Sequence, residues 1–234
     1  MLLNEIRKNL EHLADKQHAS VLQRFFKTGP GEYGEGDVFL GIRVPELRKL
    51  AKRYKDISVV EAEQLLQASI HEKRLLALLM LVQKFAKADT SEQKRIYGLY
   101  LQNIRFVNNW DLVDTSALNI VGAFLMDKSR KPLYRLAKSN QLWERRIAIM
   151  ATFYFIKRDD FSETLILAET LLADNEDLIH KAVGWMLREV GKRHLPTEEA
   201  FLNERYKMMP RTMLRYAIEK FQETKRQRYL KGQI

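Results

Sequence analysis

The chain has no cysteine. That excludes a disulfide framework, thiolate catalysis and cysteine-ligated zinc, and it fits a reducing compartment. Glycine and proline are scarce, 10 and 5 among 234 residues, so extended loops should be few. No stretch approaches the ~18 apolar residues of a membrane-spanning helix. The N-terminal MLLNEIRKNLEHL carries charge by residue 5, where a secretory signal would need an apolar core. The five histidines (His12, His18, His71, His180 and His194) keep no metal-ligand spacing and read as surface or capping residues. No cluster of acids suits two-metal nuclease chemistry. The expectation is a soluble, cytoplasmic, monomeric protein with no metal, no cofactor and no membrane partner.

What the chain does have is positive charge. Forty Lys and Arg stand against 30 Asp and Glu, a formal net charge of +10, which points to a polyanionic partner. Apolar spacing of period 3.6 dominates and period-2 alternation is nearly absent. Helices are expected at 58–69, opened by a Ser58/Glu61 capping box, at 71–85, at 90–102 with Thr90 and Gln93 in capping-box spacing, at 108–125, and at five further segments beyond them. Pro45 suits a helix start. The one strand-like stretch is DVFLGIRV, 37–44. Basic residues precede similar apolar runs at Arg74, Arg146 and Lys181, at spacings of 72 and 35 residues. A period near 35 with paired helices is the mark of an α-solenoid, against the plainer reading of a helical bundle. The predicted architecture is all-α: one curved domain of HEAT-like repeats over 1–234, with a concave basic face. A glycine-rich segment at 27–41 interrupts it, either a shaped loop near a ligand or a mobile excursion. A basic C-terminal tail at 223–234 reads as a frayed terminus.

Two helices hold residues suited to chemistry. In NNWDLVDTSA, Trp110 and Asp114 fall at i and i+4 on one face, while Asp111, behind an Asn109 cap, complements the helix dipole. At 178–193, Lys181, Trp185, Arg188 and Lys192 form one stripe opposite Ala182, Val183, Met186, Leu187 and Val190. Trp185 lies either among cations in a groove or at the edge of the apolar face under arginine stems. If repeats stack, Trp110, Asp114, Arg146 and Trp185 come from inner helices and meet in an open, cation-lined hollow. Cations neutralise phosphates and indoles pack on sugars or bases. A carboxylate there repels phosphate unless it is used. Cleavage of an N-glycosidic bond would use it, because its transition state develops oxocarbenium charge. At about 4 Å and an effective dielectric near 20 one carboxylate offers roughly 4 kcal/mol, about a thousandfold in rate. A leaving base that is already cationic needs no general acid.

The motifs NNWDLVDTSA, LWERRIAIMATFYFI, HKAVGWMLREVGK and PRTMLRYAIEKF together resemble the AlkD-type DNA alkylation repair family, built of HEAT-like repeats, over about 39–221. The resemblance implies a monofunctional DNA glycosylase, a hydrolase that removes cationic N3- or N7-alkylated purines from double-stranded DNA without extruding the base. It implies Asp114 as the catalytic carboxylate, Trp110 and Trp185 as sugar-facing indoles and Arg146 as their support. The expected DNA-binding cations are Lys181, Arg188, Lys192, Arg145, Arg211 and Arg215. In the family's glycosylases an N-terminal helix grips the duplex near the lesion, where this chain has its glycine-rich segment. Two alternatives stay open: a non-catalytic DNA-binding or lesion-sensing protein of the same family, and a protein–protein scaffold.

Overall fold

The computed structural model describes residues 2–234. Among them the regular elements are all helical. The stretch 37–44 is no strand: it holds one isolated parallel bridge, Val38 to Ile70, and then enters a helix. The chain divides into two compact units, Met1–Ile120 and Val121–Ile234.

The first unit contains α1 (Leu2–His12), α2 (Lys16–Phe25), α3 (Val44–Arg53), α4 (Val59–Leu66), α5 (His71–Phe85), α6 (Thr90–Gln102) and α7 (Trp110–Ala117). Its centre is α5, against which α3, α4 and α7 pack. The run RLLALLMLVQKF makes this so: Leu75, Leu76, Leu78, Met80, Leu81 and Phe85 are all buried, each contributing about 1.5–3 kcal/mol over an exposed position. Helix starts follow local chemistry. Ser58 and Glu61 exchange both bonds of a capping box, and Pro45 occupies the first turn of α3. The cap of α6 is Asp89, whose carboxylate accepts from Glu92 N at 2.8 Å, and not Thr90 as the spacing suggested.

The second unit contains α8 (Ala123–Leu125), α9 (Lys131–Ala137), α10 (Leu142–Ala151), α11 (Phe153–Ile156), α12 (Ser162–Thr170), α13 (Asp177–Arg193), α14 (Leu195–Arg205), α15 (Arg211–Ala217) and α16 (Glu223–Lys231). Here α13 is the centre, packed by α10, α12, α14 and α15. The helix expected at 108–125 is present as α7, a π-helical turn over Leu118–Gly122 and α8. The C-terminal tail is no frayed end. It forms α16, and Tyr229 is buried against Tyr206 and Phe221, its hydroxyl donating to Asn203 Oδ1 at 2.7 Å.

A repeated device shows the register of the helical repeat. The fourth residue of α5, Arg74, donates to Ala68 O, six residues back, at 3.1 Å. The fourth of α10, Arg145, donates to Ser139 O at 3.0 Å. The fourth of α13, His180, places Nε2 2.5 Å from Asp174 O. Each closes orphan carbonyls in the turn that feeds its helix. The equivalent positions are therefore 74, 145 and 180, one residue earlier in the last two than the sequence alignment through Arg146 and Lys181.

Candidate functional site

Helix α7 carries Trp110 and Asp114, both half-buried. Its start is locked. Asn109, fully buried in an extended conformation, caps it through Oδ1 to Trp110 N at 2.9 Å. Leu112, Val113, Ser116 and Ala117 are buried. Ser116 Oγ donates to Leu112 O at 2.6 Å and lies 3.0 Å from the Tyr100 hydroxyl, which therefore donates to it. Burial pushes the Tyr100 hydroxyl up, and the nearby Asp114 charge adds to that push against the Ser116 bond.

Beside α7 lies a cluster of rings. Phe26 stacks on Trp110 with centroids 5.2 Å apart, and Phe26, Phe39 and His71 form a triangle with sides of 5.0, 4.4 and 5.1 Å. The cluster returns to α7 through His71, whose Nε2 donates to Asp111 Oδ2 and whose Nδ1 donates to Asp37 Oδ2, each at 2.8 Å. Asp37 also takes Arg74 and Asn109 Nδ2. Burial alone would neutralise His71, but its two carboxylates raise it to about 9, so it is an imidazolium at neutral pH. Burial pushes Asp37 up, and His71 with Arg74 more than reverse this, holding it below the usual carboxylate range. His71 is thus neither a surface nor a simple capping residue, and Asp111 does more than complement a dipole.

The glycine-rich segment 27–41 is part of this assembly. Its Asp37 and Phe39 are buried, and Glu72 accepts from the amides of Leu40, Gly41 and Ile42 at 2.8–3.2 Å. Gly41 is required: its φ is +85°, and a Cβ there would strike the Asp15 carbonyl.

In the second unit the predicted stripe of α13 is the less buried side of that helix, opposite buried Ala182, Val183, Met186, Leu187 and Val190. Three of its members meet on one acid. Glu189 Oε1 accepts from Trp185 Nε1 at 3.0 Å, Arg188 Nη2 at 3.3 Å and Lys192 Nζ at 2.7 Å. Burial pushes Glu189 up, but these donors hold it below the usual carboxylate range. Sequence reading missed Glu189 although it stands in GWMLREV. Arg188 also pairs with Glu219, and Lys181 with Asp177 at 2.6 Å. Phe153 packs against Trp185 at 6.1 Å.

Arg145 is committed inward, with Nε 2.6 Å from Asp174 Oδ2 and Nη1 on Ser139 O. Arg146, 4% exposed, donates to Leu178 O at 2.5 Å. Arg211 and Arg215 stand exposed on α15, with no carboxylate paired to them among the described residues. Among the described residues there is no metal-binding group of three or more His, Asp or Glu side chains, and no helix is long and apolar enough to cross a membrane.

The fold is similar to that of a solved structure titled "Predicted DNA alkylation repair enzyme from Enterococcus faecalis", with TM-score 0.68 and 18% identity over 90% of this chain and 97% of that one. It is also similar to AlkD2 from Streptococcus mutans, with TM-score 0.55 and 19% identity over 89% of this chain and 99% of the other. At these identities the likeness shows fold alone. No curated protein matches the chain in sequence. The family described as "DNA alkylation repair enzyme" matches residues 6–221. With the helical repeat and its tryptophan- and aspartate-bearing helix in place, the chain belongs to the DNA alkylation repair enzyme family.

Proposed function

We propose that the protein is a monofunctional DNA N-glycosylase that hydrolyses the glycosidic bond of cationic N3- or N7-alkylated purines in duplex DNA, acting as a monomer without metal or cofactor. The observation that carries this reading is the i, i+4 pairing of half-buried Trp110 and Asp114 on a short helix whose start is held from two sides, by Asn109 and by the His71–Asp111 bond. A carboxylate intended for electrostatic catalysis must not reorganise during the reaction, and a fixed helix supplies that.

In this reading Asp114 stabilises the oxocarbenium-like sugar and Trp110 packs on the deoxyribose. The cationic base leaves unaided. Trp185 takes the second indole's part and Arg146 the supporting part, both by motif. Among the cations assigned to DNA, Arg211 and Arg215 are ready for phosphate, whereas Lys192 must first exchange Glu189 for it and Arg188 both Glu189 and Glu219. Support for DNA as partner comes from the family and from the net charge of +10. Incubation of methylated duplex DNA with the protein tests it: release of 7-methylguanine or 3-methyladenine by the wild type and not by Asp114→Asn is expected, and equal background release by both contradicts it.

The alternative, a DNA-binding protein of this family without excision, draws on the glycine-rich 27–41 segment, which the resemblance sets against the gripping helix of the family's glycosylases. It requires salt-sensitive duplex binding and no base release.

A further inference from the structure

The first unit holds a cavity of about 350 Å³, within the size range of small-ligand sites. It opens between α2, the segment 39–47 and α5, and its walls are Leu22, Phe26, Phe39, Ile42, Leu47 and Leu75. Polar groups reach it at three places, and their bonding states decide what it can hold.

At the floor stand His71 and Glu72. Both His71 nitrogens are bonded to carboxylates, and the two Glu72 oxygens take three backbone amides. The imidazolium of His71 and the guanidinium of Arg74 are balanced by Asp37 and Asp111. An uncharged body can therefore lie on this floor without stripping a partner from His71 or Glu72. On one side is Asp111, with its side chain 15% exposed and lone pairs beyond those used by His71 and Leu112 N. It can accept from an amino group.

The rim carries His18 and Arg43. His18 Nδ1 donates to Gly41 O at 2.7 Å. Arg43 is exposed, with no ion pair among the described residues and no side-chain bond to the start of α3, which it precedes. Its planar fork matches a phosphate, and the amino end of α3 adds its dipole beside it. Phe26 and Phe39 add aromatic carbon to the cavity wall, a surface suited to a flat ring.

We infer that this cavity is a binding site for a single nucleotide: the base lies between the aliphatic and aromatic walls, an exocyclic amine meets Asp111, and the phosphate meets Arg43. The occupant is either a free mononucleotide or a nucleotide swung out of a strand; the chemistry recognised is the same. Phe26 touches both the cavity and Trp110, so occupancy is felt at the helix that bears Asp114. The site does not depend on base release, and Asp114→Asn binds nucleotide like the wild type, which separates failure of this inference from failure of the glycosylase reading.

The test is calorimetric titration of the full chain with dAMP and dGMP, with adenine and deoxyribose 5-phosphate as partial ligands. Saturable binding of the nucleotides is expected, at least about tenfold tighter than either part. Arg43→Ala, a surface change, weakens the nucleotide about fivefold or more and leaves adenine unaffected. Leu22→Trp, at the half-buried edge of the cavity, abolishes binding of both. Duplex DNA carrying 2-aminopurine separates the sources: a fluorescence rise lost in Leu22→Trp assigns the extruded nucleotide, and no rise, with dAMP still bound, assigns the free one. No binding up to about 10 mM, or dAMP affinity unchanged in both variants, overturns the inference.

Discussion

Asp111 Oδ2 accepts from His71 Nε2 at 2.8 Å, three residues ahead of Asp114 on the same helix. Through this bond α5 sets the rotation of α7, and the same histidine packs against Phe26, which stacks on Trp110. The indole and the helix start are held by one assembly, whose charged centre is an imidazolium between two carboxylates.

That centre has a pH signature. His71 titrates at about 9 in the folded protein against 6.5 for the free side chain. Its contribution to stability is complete below 6.5 and is lost as pH rises through about 9, on the order of 3 kcal/mol in all. Thermal melts of the wild type should fall in midpoint across that window. His71→Asn should melt lower at pH 6 and show a flatter profile there. Parallel profiles for the two proteins would show that the imidazolium is not what holds the assembly.

Glu189 gathers Trp185, Arg188 and Lys192. In the proposed reading phosphate competes with this carboxylate for Lys192, while Arg188 is held by Glu219 as well. Glu189→Gln removes the competitor and keeps the shape, so duplex affinity at low salt should rise severalfold. The slope of log K against log salt should steepen by about 1, the counterion of the one cation freed. Fluorescence anisotropy with labelled duplex over a salt series reads both, and an unchanged slope would mean that Lys192 does not touch phosphate.

Close packing of α13 on α15 rests on Gly184. A Cβ there would press into the Met213 carbonyl and the Tyr216 Cβ, backbone and near-backbone atoms with nowhere to go. Gly184→Ala should destabilise by about 1–3 kcal/mol despite its better helix propensity, measured by urea unfolding. A neutral or stabilising result would show that the two helices part without cost.

The sequence was most legible where the signal is local. The apolar run of α5 and the Ser58/Glu61 box gave their elements directly. The cap of α6 was misread because DTSEQ offers two capping spacings in adjacent registers, and only the backbone shows that Asp89 is used. The repeat was visible but one residue out of register, since Arg145 and Arg146 are adjacent and only the i−6 carbonyl bond separates them. His71 was hidden for a different reason: its partners lie 34 and 40 residues away, and no local pattern announces a bond of that span. Tyr229 was masked by the charges around it in ETKRQRYLKG, which made a docked helix look like a solvated end. Of the proposed site, the Trp110–Asp114 spacing was plain in the sequence. The ring cluster that steadies it was not, because Phe26 and Phe39 flank a glycine-rich stretch with no periodicity.

The central claim is that the Asp114 carboxylate lowers the barrier to losing a cationic purine. It is tested most directly by the single-turnover rate of excision from a duplex bearing one 7-methylguanine, wild type against Asp114→Asn, with circular dichroism to verify that both are folded. The account predicts a wild-type rate well above spontaneous depurination and a drop of about a thousandfold in the variant, the equivalent of roughly 4 kcal/mol. Equal rates for the two proteins, or a wild-type rate no faster than DNA alone, would contradict it.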